Sequence, residues 1–112
     1  MTVYCDDMYR YPIGEFKRGN RLYKMSHLVA ESTDELIAFV KSIGLDPKWI
    51  QLKGSYKEHF DITMTKRDAA LVAGAIPCSM SEMGYLVRNR KETGSLGNLE
   101  EIRCERSHLQ PA

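Results

Sequence analysis

Stretches that read as strands alternate along the chain with stretches of helical period. Thr2-Val3-Tyr4-Cys5 is β-branched and aromatic and stops at Asp6-Asp7, which predicts a short strand delivering two carboxylates at its C-terminal end. Residues Tyr9 to Arg21 hold Pro12, Gly14, Gly19 and Asn20 among scattered charges and read as a loop. A second strand is expected across Tyr23 to Ala30. Two more are expected over Lys48 to Leu52 and Glu58 to Thr63, where Phe60 and Ile62 face one way and His59, Asp61 and Thr63 the other.

Three helices share one kind of start signal. Ser32-Thr33-Asp34-Glu35 and Ser79-Met80-Ser81-Glu82 are capping boxes, in which hydroxyl and carboxylate satisfy each other's free backbone N–H groups. Thr65-Lys66-Arg67-Asp68 is similar, with Asp for Glu, and predicts a helix stopped by Gly74. Behind Ser32, the residues Leu36, Phe39, Val40 and Ile43 fall at helical spacing up to Gly44. Ala75 to Cys78 reads at most as an edge strand, because Pro77 has no N–H to donate.

The expected architecture is a small single-domain α/β sandwich of order β-β-α-β-β-α-(β)-α, with helices on one face of a mixed sheet. It spans residues 1–91. Residues 92–112 begin with the spacer Thr93-Gly94-Ser95-Leu96-Gly97-Asn98 and hold four acids against two bases, so a flexible or partner-docking acidic tail is expected there. Leu99, Ile102 and Leu109 are the positions that a docking helix would use.

Composition narrows the function classes. The 112 residues carry a formal charge of +1, which argues against a general nucleic-acid coat. No apolar run approaches the roughly 18 residues of a membrane span, and no secretory leader is evident, so a cytoplasmic protein is expected. Cys5, Cys78 and Cys104 are odd in number and form no CxxC pair; they read as reduced thiols, Cys5 and Cys78 buried. A helix-turn-helix over Arg67 to Arg90 is disfavoured by the long turn with Pro77, so DNA is not the expected partner.

Strand alternation supplies the candidate chemistry. If helices cover the face of Val3, Cys5, Leu28, Phe60 and Ile62, then Tyr4, Asp6, His27, His59 and Asp61 point to the other face. Two imidazoles and two carboxylates there suit a divalent metal held by Asp6, His27, His59 and Asp61, or a general acid–base pair. Val29 shares that face and does not fit a purely polar surface. Thr65, Lys66 and Arg67 gather at a helix start, where free N–H groups and the dipole favour a phosphate. Lys17, Arg18, Arg21 and Lys24, with Phe16 and Tyr23 alongside, form a basic stretch that suits a phosphate-bearing ligand or a contact with nucleic acid.

The segments MTVYCDDM, SHLVAEST-DELIAF, HFDIT and TKRDAALVAGAI, in that order, resemble a small family of bacteria and phages catalogued as domain of unknown function 4031. Ser26 stands where cysteine is usual in that family, and Phe60 where tyrosine is usual. The resemblance implies a small accessory protein, of the kind that sequesters a signalling molecule or interferes with a host protein. The leading expectation is a homo-oligomeric binder of a phosphate-bearing small molecule such as a nucleotide. In it His27, His59 and Asp61 read polar groups, with Asp6 beside them, and Thr65, Lys66, Arg67 and Arg18 take phosphate. The alternatives are a metal-dependent phosphoesterase or nuclease and a protein-interaction module directed at a host target.

Overall fold

The computed structural model describes residues 2–109, with side chains through Glu105. It is an α/β fold with a mixed five-stranded sheet. The strands are β1 (Val3–Cys5), β2 (Glu15–Arg18), β3 (Arg21–Ala30), β4 (Phe60–Thr63) and β5 (Ile76–Pro77). The helices are α1 (Thr33–Ser42), α2 (Met64–Val72), α3 (Met80–Thr93) and α4 (Leu99–Leu109). Strand β3 is the hub: β1, β2 and β4 all pair with it antiparallel, and β5 adds to β1 in parallel. Pro77 sits on this outermost strand, the place where a missing donor is tolerated.

The two faces of the sheet carry separate cores. Val3, Cys5, Leu28, Phe60 and Ile62 pack against Leu36, Phe39 and Val40 of α1 and Ala70 of α2. On the opposite face Tyr4 and Val29 pack against Met83 and Leu86 of α3 and against Leu96, Leu99 and Ile102. Helices therefore cover both faces, which corrects the one-sided arrangement expected from the sequence. The buried Val29 is the reason: an apolar side chain on the far face needs its own cover.

The expected tail is part of this second core. Helix α3 runs past Lys91 to Thr93, and Gly94 closes it with a left-handed φ of 84°. Eleven residues make too short a helix to persist alone in water. Burial of Leu99 and Ile102, each contributing roughly 1.5–3 kcal/mol, holds α4 on the domain. The Arg103 guanidinium also reaches Glu82 of α3 at 2.6 Å. The Leu109 side chain and residues 110–112 lie outside the described residues.

Three local expectations also change. The loop of residues 9–21 contains two short 3₁₀ turns and then β2, which forms a hairpin with β3 through Gly19. Residues Pro47–Trp49 form a 3₁₀ turn in place of a strand, and only Gln51 bridges to His59. Helix α2 is capped by Thr63, whose hydroxyl accepts from the Lys66 N–H at 3.4 Å, and not by Thr65. Strand β4 runs into α2 without a loop, so the last extended residue takes the capping role. Ser79 forms both halves of its expected box, whereas at Ser32 only the hydroxyl half forms, accepting from the Glu35 N–H at 3.2 Å while the Glu35 carboxylate does not reach back.

Candidate functional site

Beyond the edge of α3, the second face of the sheet is uncovered, and polar side chains converge there. His27 on β3 lies directly across from Asp61 on β4 in the strand register. Two residues before Asp61, His59 shares its face and is fixed by the bridge to Gln51. His27 Nε2 stands 3.8 Å and His59 Nε2 3.5 Å from the same oxygen, Asp61 Oδ1. The two imidazole rings meet edge-on, with centroids 5.1 Å apart. One ligand atom from each of the three residues lies within 4.8 Å of the others.

Each of the three side chains is held by its other heteroatom. Asp6 Oδ2 meets His27 Nδ1 at 2.7 Å, while Asp6 Oδ1 accepts from the main-chain N–H of His27 at 2.9 Å. His59 Nδ1 donates to the Lys57 carbonyl at 2.6 Å. Gln51 Nε2 donates to Asp61 Oδ2 at 2.5 Å. Both rings thus turn Nε2 inward, and in the neutral ring with its proton on Nδ1 that nitrogen offers an electron pair. Asp61 Oδ1, buried between them, accepts no hydrogen bond. The hydrogen bond that His27 donates to Asp6, helped by the charges of Asp6 and Asp61, raises the His27 pKa above the ordinary imidazole value against the opposing effect of burial.

Asp6 therefore lies behind the His27 ring, with its oxygens engaged by His27 and the Met8 N–H, and outside the group of three. Its neighbour Asp7 accepts from the Met80 N–H at 2.9 Å and pins the start of α3 beside the site. The two carboxylates at the end of β1 so divide between orienting an imidazole and placing the helix that walls the site.

A cavity of about 290 Å³ opens over His27 and His59. Its far wall is apolar, from Val29, Leu52, Met80, Met83 and Val87, with Gly84 leaving the space beside α3 open. Leu52 holds a left-handed φ of 54°, a conformation that costs a non-glycine residue about 1 kcal/mol or more, at the cavity edge. The segment bearing Lys57 is fastened from below by Arg90. Its guanidinium donates to the carbonyls of Tyr56, Ala30 and Glu58 at 2.8, 2.8 and 2.9 Å. Burial pulls the Arg90 pKa below the usual guanidinium value.

The expected phosphate platform at α2 is not assembled. Thr65 is exposed on the first turn of the helix. Lys66 Nζ donates to the Ile43 and Gly44 carbonyls at 2.9 and 3.3 Å, closing the end of α1. Arg67 is buried, donates from Nε to the Asp6 carbonyl at 3.1 Å and lies over the Tyr9 ring. Arg18, exposed on β2, lines a second hollow that also reaches Asp61. Sequence reasoning does not single out Gln51, Lys57 or Gly84. It reads Arg90 with Arg88 and Lys91 as a basic group at a helix end, complementing the macrodipole, where the structure instead turns Arg90 inward to three carbonyls. A hairpin of Lys48–Leu52 against Glu58–Thr63 would set Gln51 opposite His59, whereas nothing local marks the inward turn of Arg90.

A family model described as "Protein of unknown function (DUF4031)" matches residues 3–90. The chain belongs to this family. The matched region contains Asp6, His27, His59, Asp61 and the fastening Arg90, so the whole polar cluster lies within the DUF4031 part of the chain. Helix α4 lies beyond it. No curated protein and no solved structure matches the chain. None of the described helices is long and apolar enough to cross a membrane.

Proposed function

We propose that this protein is a metal-dependent phosphoesterase whose divalent ion is held by His27, His59 and Asp61. The observation that carries this reading is the division within each side chain: one heteroatom is tied to protein, and the other faces its two companions around an unsatisfied buried carboxylate oxygen. Outer partners of this kind fix tautomer and ring orientation at metal centres. Ligands about 2.1 Å from an ion stand roughly 3.0–3.4 Å apart, so the present spread closes by about an ångström on binding. A donor set of two nitrogens and one oxygen suits Zn²⁺, Mn²⁺ or Fe²⁺ and leaves coordination positions for water and substrate.

The bound ion supplies a nucleophilic water at neutral pH and polarises a phosphoryl oxygen. The water would give up a proton as its oxygen forms the new bond to phosphorus, the bond to the leaving oxygen would break, and that oxygen would depart with the electron pair and take up the equivalent of the proton released. Lys57, on the cavity wall, contributes positive charge for an anionic substrate. Sequestration of a phosphate without turnover is the weaker reading, since Lys66 and Arg67 spend donors on main-chain carbonyls of the domain itself.

Metal content by mass spectrometry, titration with Zn²⁺ and Mn²⁺, and turnover of bis(p-nitrophenyl) phosphate test the proposal. One ion per chain is expected, lost in His59→Ala, with turnover that EDTA abolishes and added metal restores. Failure of the wild-type chain to bind any of these ions overturns it, as does ion binding without phosphodiester turnover.

A further inference from the structure

The centre lies between two hollows of different chemistry. His27 and His59 floor the apolar one. Asp61 and Gln51 border the other, of about 420 Å³, whose wall includes Phe16, Trp49 and Arg18. Both volumes fall near the lower end of the roughly 300–1,000 Å³ range of small-molecule clefts. Phe16 and Trp49 are 41% and 56% exposed, and the Trp49 ring carries the Lys48 ammonium 5.2 Å from its centroid, so aromatic surface and positive charge meet beside the polar cluster.

The hairpin beside this second hollow is strongly cationic. Arg18 stands directly opposite Arg21 across the strands, a like-charge pairing that destabilises a hairpin unless an anion lies against it. Lys17, Arg18, Arg21 and Lys24 form no side-chain hydrogen bond or ion pair among the described residues. Exposed aromatic rings beside unpartnered guanidinium groups are what unpaired nucleotides stack and anchor on.

We infer that the substrate of the centre is an unpaired nucleotide phosphodiester, with one nucleoside stacked in the Phe16–Trp49 hollow, its flanking charge on Arg18, and the group across the scissile bond in the apolar hollow. The inference rests on the metal-centre reading for its chemistry. Two hollows, one on each side of the centre, match the two substituents of a diester, whereas a monoester leaves one side empty. Stacking needs bare base faces, which selects an unpaired ligand over a duplex. The hydrolytic step is the one described above, with a nucleoside hydroxyl as the leaving group.

The chain has one tryptophan, Trp49, so its fluorescence reports this hollow directly. Thymidylyl-thymidine is titrated in EDTA and again with Zn²⁺, against the wild type, Arg18→Ala and Phe16→Ala. Saturable quenching is expected, weakened about tenfold in each variant, with circular dichroism showing that the variants stay folded. Steeper salt dependence in the wild type than in Arg18→Ala is also expected. A ten-nucleotide oligothymidylate separates the two sources of this chemistry: equal affinity assigns a dinucleotide, and tighter binding assigns a single strand. Absence of saturable quenching in both buffers, or equal affinities in wild type and variants, overturns the inference. The EDTA arm reads the stacking hollow without metal, so its failure is distinct from failure of the metal centre.

Discussion

Asp6 grips His27 at two points, accepting from its main-chain N–H at 2.9 Å and meeting its ring Nδ1 at 2.7 Å. The first contact continues the β1–β3 ladder with a side chain, and the second sets which ring nitrogen faces Asp61. Asp6→Asn keeps an acceptor for the N–H but presents an amide donor to Nδ1. The ring must then carry its proton on Nε2, where it cannot ligate. Zn²⁺ affinity measured by calorimetry is expected to fall tenfold to a hundredfold, with the fold retained by circular dichroism.

Arg90 fastens three carbonyls that otherwise lie buried or half-buried without a donor. Arg90→Met is expected to cost about 3 kcal/mol or more in urea unfolding. Arg90→Lys is not expected to restore it, because one ammonium cannot span the Tyr56, Ala30 and Glu58 oxygens in the planar arrangement of the guanidinium. Metal affinity should fall in both variants, since Lys57, which holds the His59 ring, lies between two of those carbonyls.

The three cysteines differ in reactivity by environment. Burial pushes the Cys78 thiol up to about 12 and also raises Cys5, while Cys104 is exposed on α4. Iodoacetamide at pH 8 is expected to add one carbamidomethyl group to the native chain, mapped by peptide mass spectrometry to Cys104. Rapid modification of Cys78 would show that the start of α3 opens readily.

The Glu82–Arg103 ion pair gives α4 an acid-sensitive contact. Arg103 holds the Glu82 carboxyl below the usual Glu value, with help from the backbone at Ser79. A depressed folded-state pKa adds stability that is present above the unfolded value and is lost as pH falls through the folded one. The melting temperature of Arg103→Ala should therefore lie below that of the wild type at pH 7, and the gap should close on acidification toward pH 3.

Gly84 lies inside α3 with no positive φ, and nothing beyond its chain neighbours and its own helix backbone lies within 4 Å of the position a Cβ would take. Gly84→Ala is expected to stabilise the domain by about 1 kcal/mol through helix propensity, read from urea unfolding. Gly84→Leu projects into the open side of the cavity and should slow turnover of bis(p-nitrophenyl) phosphate while leaving Zn²⁺ binding in place.

Much of the candidate centre is legible along the chain because strand geometry is local. A period of two puts His59 and Asp61 on one side of β4 whatever the rest of the fold does, and the caps at Ser32 and Ser79 act over three residues. The pairing of His27 with Asp61 is not local, since a slip of one residue would turn either side chain to the opposite face. Only the tertiary structure decided that register, the place of Asp6 behind the His27 ring, and the commitment of Lys66 and Arg67 to distant carbonyls. It also decided the fate of residues 92–105, whose few apolar side chains are too sparse to predict a core. They bury because Tyr4 and Val29 leave a second apolar face that α3 alone does not cover. Hydrogen-bonding range and side-chain period are written in neighbouring residues, whereas register and burial depend on which distant surfaces meet.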